Sequence, residues 1–138
     1  MPMSEDRLVL YTDGASHGNP GESGVGIVMC DINHKEIKGF KKYIGVTTNN
    51  VAEYVALIIA LQEAMKVRVK DVAVFSDSEL LVRQILGIYK VRDDRLKQFF
   101  AIVENLREYF NNFSIEYIER EKNTTADKLA AQAIKERK

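Results

Sequence analysis

The sequence predicts an α/β domain with a mixed β-sheet packed against helices, and three observations support this prediction. The segment Leu8–Gly14 is a short apolar run that ends at Asp13 and a glycine, which is typical of a strand buried on both faces. Three strand-like segments follow one another near the N-terminus, which indicates an antiparallel meander. A strand, a helix and another strand then form a right-handed crossover, so we expect the later strand to run parallel to the first.

Turn signals and apolar periodicity divide the chain into five strands and four helices. Gly, Asn and Pro over 15–21 predict a turn after the first strand, and the spacing of Val51, Val55 and Ile58 predicts the first helix. That helix is apolar almost all round except for Glu53, so we expect it to be covered on more than one side. In chain order, the predicted elements are a strand over 8–13, strands over 24–30 and 36–44, a helix over 51–67, a strand over 72–76, helices over 78–86 and 93–109, a strand over 113–119 and a helix over 123–136.

Length and composition are those of an ordinary globular protein. The 138 residues suit a single domain over 1–138, and 46% of them are hydrophobic and 29% charged. Twenty Lys and Arg residues balance twenty Asp and Glu, so no overall charge attracts nucleic acid or a membrane, and a polyanion must bind to a local patch.

The single cysteine and the lack of long apolar runs exclude several classes of protein. Cys30 has no partner for an internal disulfide or a multi-cysteine zinc site, and we expect it to be a small buried hydrophobe. The N-terminal segment has no apolar stretch of signal-peptide length, and no later run approaches the roughly 20 residues of a membrane helix. We therefore expect a cytoplasmic protein that does not bind membranes.

Acidic residues stand at points that the predicted topology brings together. Asp13 and Asp77 each follow a buried strand, and because those strands are expected to be parallel, both carboxylates should lie at the same edge of the sheet. Two carboxylates at that range repel each other unless a cation or a proton intervenes. Glu53 lies among apolar residues of the first helix, where an unpaired carboxylate would cost several kcal/mol to bury.

Helix capping is the alternative explanation for these acids. Asn50 with Glu53 and Ser76 with Glu79 both fit a capping box, and the pattern beginning at Thr124 is a weaker third. Capping accounts for each acid singly, whereas a shared ion accounts for their convergence. Oxygen ligands without cysteine or paired histidine favour Mg²⁺ or Mn²⁺ over zinc.

Four short blocks contain the acidic residues and the polar residues beside them: Thr12–Ala15 with Gly18–Gly21, then Thr48–Glu53, then Ser76–Ser78, and finally Ala126–Ala130. In order and spacing, these blocks resemble the signature blocks of type 1 ribonuclease H. They cover nearly the whole chain. The resemblance implies a ribonuclease H-like fold, which is a five-stranded mixed sheet with an antiparallel three-strand meander plus parallel strands and with helices on both faces. It also implies a metal-dependent endonuclease that cuts the RNA strand of RNA–DNA hybrids and leaves 5′-phosphate and 3′-hydroxyl ends.

The resemblance implies roles for individual residues by matched position. Two Mg²⁺ or Mn²⁺ ions about 3.5–4 Å apart would activate the attacking water and stabilise the leaving oxygen when substrate is bound, with Asp13 bridging them. Neutral donors beside the acids would select the RNA strand through its 2′-hydroxyl groups. For Thr48 and Asn50, helix capping is an alternative compatible with binding. The implied catalytic and metal-binding carboxylates are Asp13, Glu53, Asp77 and Asp127, and the implied substrate-binding residues are Gly14, Asn19, Thr48, Asn50 and Ser78.

Three departures from the family pattern concern the residues around this site. Many members carry Gly-His before the last Asp, with the His assisting product release; here that stretch is Arg120–Asn123, and Glu121 is a candidate auxiliary residue or a solvated charge. Glu79 stands where a Gln commonly contacts substrate, and capping explains it better. The short connection over 87–92 lacks the basic lobe of some members, so we expect weaker substrate binding with a shallow salt dependence. The cationic residues that remain there are Lys90, Arg92, Arg95 and Lys97.

Other functions fit the sequence less well. A phosphatase of the Asp-x-Asp-Gly-Thr type is excluded because Tyr11 stands at the nucleophile position, and a P-loop is excluded because no Gly-Lys-Ser/Thr follows the glycines. A catalytically weak domain of the same fold that binds hybrids or double-stranded RNA is the main alternative. The sequence leaves open whether double-stranded RNA is also cleaved, and it indicates no obligate protein partner.

Overall fold

The computed structural model describes residues 7–137, and within them the chain forms five strands, four α-helices and one 3-10 turn. Residues 1–6 and Lys138 lie outside the described residues. The structure therefore does not describe the two ends of the predicted 1–138 domain, or most of the N-terminal segment from which a cytoplasmic location was predicted. The strands are β1 (Arg7–Gly18), β2 (Gly21–Cys30), β3 (Glu36–Thr47), β4 (Asp71–Ser76) and β5 (Asn112–Tyr117). The helices are α1 (Asn49–Lys66), α2 (Glu79–Ile85), α3 (Asp94–Arg107) and α4 (Thr124–Lys135), and the 3-10 turn is Arg120–Lys122.

The strands form one mixed sheet in the order β3-β2-β1-β4-β5. Strands β1, β2 and β3 pair antiparallel, whereas β1 pairs parallel with β4 and β4 pairs parallel with β5. The predicted meander and the predicted parallel crossover are both confirmed. This order makes β1 and β4 neighbours, which is what the convergence of Asp13 and Asp77 requires.

The turn predicted over 15–21 is mostly strand, and this correction changes the position of Asp13. Strand β1 continues to Gly18 and pairs with β2 without interruption, so only Asn19 and Pro20 form the turn. Cross-strand pairing overrides the weak strand propensity of these small polar residues. Asp13 therefore lies in the middle of β1. Strand β4 ends at Ser76, opposite Thr12, so β1 has no neighbour on that side from Asp13 onwards.

Helices cover both faces of the sheet, as predicted. The larger core, between the sheet and α1, α2 and α3, includes Leu10 and Ile27, and α4 covers the other face over Val9 and Val28. A Cβ on Gly26 would lie only 2.2 Å from the Ala126 carbonyl oxygen, so α4 rests directly on the backbone of β2. The prediction that Cys30 is a small buried hydrophobe is confirmed, since it is 3% exposed in the cluster beneath α4.

The predicted capping boxes at the starts of α1 and α2 are wrong. Thr48 caps α1, because its Oγ1 accepts from the Val51 N–H at 3.2 Å, and Asn50 lies exposed in the first turn. Ser78 caps α2 by accepting from the Leu81 N–H at 3.2 Å. Neither capping box forms, so neither Glu53 nor Asp77 takes part in capping. Of the two residues for which capping was the alternative to substrate binding, Thr48 caps α1 and Asn50 does not.

Helix α4 also departs from its predicted cap. Its N-cap residue is Asn123, which makes no side-chain hydrogen bond to the helix. In the part of the chain from residue 7 to residue 137, no helix is both long enough and apolar enough to span a membrane.

Candidate active site

Three carboxylates from separate elements meet at the edge of the sheet. Asp13 comes from β1, Glu53 from α1, and Asp77 from the bend that follows β4. Each offers one oxygen, and these oxygens all lie within 4.8 Å of one another. Asp13 and Glu53 are only 6% and 4% exposed, and Asp77 is half-buried. The predicted convergence of these three side chains is therefore present in the fold.

Burial and mutual repulsion make this cluster hard to ionise in the absence of a cation. Burial, followed by the charge of Glu53, raises the pKa of Asp13 to about 10. Burial, followed by the charge of Asp77, raises the pKa of Glu53 to about 8, and burial also raises the pKa of Asp77. A divalent cation would favour the charged forms. The all-oxygen donor set fits Mg²⁺ or Mn²⁺.

Asp127, the fourth predicted carboxylate, lies beside the cluster of three. It belongs to the first turn of α4, and its charge adds to burial in raising the pKa of both Asp13 and Asp77. On its outer side, Asp127 Oδ2 is 3.4 Å from Nε of Arg120. The fold thus brings all four predicted acids to one place, and their catalytic and metal-binding roles stay predictions.

Gly14 holds Glu53 in this cluster. The Gly14 N–H donates to Glu53 Oε1 at 2.9 Å, and this hydrogen bond favours the charged form, lowering the pKa of Glu53 against the larger effect of burial. A Cβ on Gly14 would lie 2.2 Å from the Ala52 carbonyl carbon, so only glycine lets α1 come this close to β1. The structure therefore gives Gly14 a clear part in building the site, and its predicted contact with substrate stays a prediction.

The carboxylates lie in an open cleft of about 350 Å³. Ser78, a predicted substrate-binding residue, lines this cleft, and so does Asn49, which sequence reasoning missed. Asn19 lies outside the cleft lining, but its Oδ1 accepts from the Asn49 N–H at 3.0 Å and so ties the β1–β2 turn to the start of α1. Thr48 and Asn50 are also outside the lining. The residues that line the cleft are Asp13, Gly14, Ala15, Ser16, Asn49, Glu53, Asp77, Ser78 and Arg120.

The loop before α4 presents Arg120 to the cleft, not the predicted Glu121. Arg120 lines the cleft and pairs with Asp127, although its side chain is 84% exposed. Glu121 is exposed on the same 3-10 turn and is not among the residues that line the cleft. Its auxiliary role stays a prediction, and Arg120 is the better placed residue. The only sequence signal that could have identified Arg120 was its position next to Glu121.

Sequence reasoning also missed Asn123, which lies against the carboxylates. Its side-chain amide donates to the Thr12 carbonyl at 2.9 Å and to Asp77 Oδ2 at 3.3 Å. The residue is only 2% exposed. Its place just before the last signature block was the one available signal, but an Asn there is also typical of a helix cap.

Comparison with known proteins shows extensive similarity. A family model described as reverse transcriptase-like matches residues 11–133. Bifunctional protein Rv2228c of Mycobacterium tuberculosis is 38% identical over 129 residues, which are 93% of this chain and 35% of that protein. The chain therefore spans about a third of the length of the first curated relatives it matches.

Other relatives match along nearly their whole length. Ribonuclease H of Acetivibrio thermocellus is 34% identical over 145 residues, and the match covers 94% of this chain and 95% of that protein. Among solved structures, LC11-RNase H1 in complex with an RNA/DNA hybrid has a TM-score of 0.89 at 42% identity and is matched over 96% of its length, against 93% of this chain. The arrangement of strands and helices is thus shared with LC11-RNase H1.

Proposed function

Because the chain belongs to the ribonuclease H family of reverse transcriptase-like domains, we propose that it is an endonuclease that hydrolyses the RNA strand of RNA–DNA hybrids. One observation carries this proposal for the chain itself: Asp13, Glu53 and Asp77 place three carboxylate oxygens within 4.8 Å of one another in an open cleft. The hybrid bound by LC11-RNase H1 supports the choice of substrate.

The carboxylates of the cleft would hold Mg²⁺ or Mn²⁺, two ions when substrate is bound. Asp13, Glu53, Asp77 and Asp127 would be the ligands, and the first three already place one oxygen each within 4.8 Å of one another. Bound there, the ions would supply Lewis acidity for the attack of water and for the leaving 3′ oxygen, and hydrolysis would leave 5′-phosphate and 3′-hydroxyl ends. The contribution of the protein is to hold the acids close together against their repulsion, partly through the N–H of Gly14.

Neutral hydrogen-bonding groups flank the acids and suit the backbone of a nucleic acid. Ser78 and Asn49 line the cleft itself, and the hydrogen bond from the Asn49 N–H to Asn19 keeps the β1–β2 turn beside them. Thr48 and Asn50 lie next to Asn49 at the start of α1. We propose that this rim contacts the sugars and phosphates and selects RNA through its 2′-hydroxyl groups.

Arg120 is proposed to take the place of the absent loop histidine. Its guanidinium pairs with Asp127 at 3.4 Å while most of the side chain remains in solvent. A guanidinium pairs with both carboxylates and phosphates, so we propose that Arg120 exchanges Asp127 for a phosphate of the bound or departing strand. A cytoplasmic location and the lack of an obligate protein partner also stay predictions.

Cleavage of a 5′-labelled RNA–DNA hybrid tests the proposal. The wild type is compared with Asp13→Asn in Mg²⁺ and separately in Mn²⁺, beside RNA–RNA and DNA–DNA duplexes. Asp94→Asn is the matched control, because this α3 carboxylate is 97% exposed. We expect hybrid-selective cleavage in the wild type and in Asp94→Asn, and none in Asp13→Asn. Cleavage of RNA–RNA would show that the substrate class is wider. Hybrid binding without cleavage in either ion would contradict the proposed enzyme and support the alternative of a binding domain.

A further inference from the structure

Asn123 occupies a helix N-cap position but does not cap the helix. An asparagine there normally accepts a hydrogen bond from the first turn of the helix. Here the Asn123 side chain makes no such bond, although its backbone carbonyl accepts from the Asp127 N–H at 3.1 Å and so begins α4. The side chain turns inward instead and is almost completely buried.

The direction of the Asn123 amide follows from its neighbours. The Thr12 carbonyl oxygen and Asp77 Oδ2 both accept, at 2.9 and 3.3 Å, so the amide nitrogen must face them. The amide oxygen is left buried, with no hydrogen-bond partner among the described residues. Asn123 therefore makes these two hydrogen bonds although it leaves the helix without a side-chain cap and its own amide oxygen without a partner. Such a local conflict is expected at functional sites.

These hydrogen bonds connect Asn123 to the backbone or side chain at three of the four acids. Thr12 directly precedes Asp13 and is the last β1 residue that pairs with β4. Beyond this pair, the Asn123 side-chain amide connects the two chain segments by donating to both Thr12 and Asp77. Asp77 receives the second bond from the amide. Asp127 is held through the first backbone bond of α4.

We propose that Asn123 is a positioning residue that fixes Asp77 relative to Asp13 and Asp127, so that the carboxylates are arranged to receive a divalent ion. This inference rests on the proposed function, because it assigns a role within the same site. Outer groups that orient metal-ligating carboxylates commonly change metal affinity or activity by about 10- to 100-fold when removed.

The test is Mn²⁺ binding to the full chain without substrate, measured by electron paramagnetic resonance, for Asn123→Ala and Asn123→Leu. Leucine keeps the branched shape of asparagine but cannot donate. Asp93→Ala is the matched control: Asp93 caps α3 by accepting from the Leu96 N–H at 2.9 Å, so its removal weakens a helix N-terminus elsewhere. Thermal unfolding of every variant separates metal affinity from stability.

We expect both Asn123 variants to bind Mn²⁺ at least about tenfold more weakly than the wild type, and Asp93→Ala to bind it normally despite a lower Tm. The inference is overturned if Asn123→Leu keeps wild-type affinity, since the side chain would then act as a filler. It is overturned equally if Asp93→Ala loses as much affinity, or if the wild type binds no Mn²⁺. A wild type that binds Mn²⁺ more tightly than both Asn123 variants yet never cleaves a hybrid contradicts the proposed function alone.

Discussion

The backbone N–H of Gly14 donates to Glu53 Oε1 at 2.9 Å, and this bond joins the strand that carries Asp13 to the helix that carries Glu53. Close approach of the two backbones makes it possible, because a Cβ on Gly14 would lie 2.2 Å from the Ala52 carbonyl carbon. A carboxylate that is only 4% exposed thus obtains a donor from the neighbouring strand. Packing between α1 and β1 and the chemistry of the site are therefore inseparable at this point.

Replacing Gly14 by alanine is expected to abolish cleavage and to lower the free energy of unfolding by about 1–3 kcal/mol, since α1 must move away from β1. Gly39→Ala is the matched control, because the nearest atom to its Cβ would be the Leu129 Cδ1 methyl at 3.3 Å, at the far end of a flexible side chain. Urea unfolding and hybrid cleavage measure the two effects. Wild-type stability in Gly14→Ala would contradict the close approach.

Without metal, the protein is expected to lose stability as pH rises from about 4 to about 10, between the unfolded and folded pKa values of Asp13. The pKa of Asp13 is raised from 3.8 to about 10 and that of Glu53 from 4.5 to about 8, mainly by burial. A group with a raised pKa contributes its full stability below its unfolded pKa, and the contribution is lost as pH rises through the folded pKa. Mg²⁺ should reduce the loss, because it binds the ionised carboxylates of the folded protein.

Asp13→Asn measures this contribution directly. We expect it to raise the free energy of unfolding of the metal-free protein by about 1–2 kcal/mol near pH 8 while abolishing cleavage. Thermal unfolding in a chelator across the pH range gives the comparison, with Asp94→Asn as the exposed control. If the free energy of unfolding falls with pH equally in Asp13→Asn and in the wild type, ionisation of Asp13 is not the cause of the loss of stability.

Arg120→Ala is expected to lower the turnover of hybrid cleavage about tenfold, because it removes a positive charge from the cleft. Glu121→Gln changes the adjacent charge, which lies outside the cleft lining, and should leave turnover unchanged. Arg120→Lys should recover only part of the activity, since an ammonium cannot bind phosphate in the two-point manner of a guanidinium. Single-turnover and steady-state cleavage rates distinguish an effect on chemistry from one on product release.

Hybrid binding is expected to depend only moderately on salt, with a slope of log Kd against log salt of a few units. The connection between α2 and α3 offers Lys90 and Arg92, both exposed and without an inserted basic lobe. Removing one cation that binds a phosphate should reduce the slope by about one, so Lys90→Ala and Arg92→Ala should each lower it. Lys66 ends α1 away from the site, and Lys66→Ala is the control. An association constant that falls with a log–log slope near −8 to −10 would contradict this expectation.

Most of the fold was predictable because its signals are local. Strand and helix periodicity, together with the right-handed crossover rule, predicted the meander and the parallel pairing of β1 with β4. The direction of those strands then placed Asp13 and Asp77 at one edge. Helix caps were predicted less well, because Thr48 and Ser78 compete with nearby polar residues that fit the same local pattern.

The family, the topology of the sheet and the convergence of the carboxylates could be predicted before folding was considered, since they depend on residue types at fixed spacing. The position of Arg120 in the cleft could not, and neither could the hydrogen bond from the Asn123 amide to Thr12, which is 111 positions away in the chain. Both arrangements depend on how α4 and its preceding turn pack on the sheet. Local propensity at Asn123 favours a cap, and burial against Asp77 overrides it.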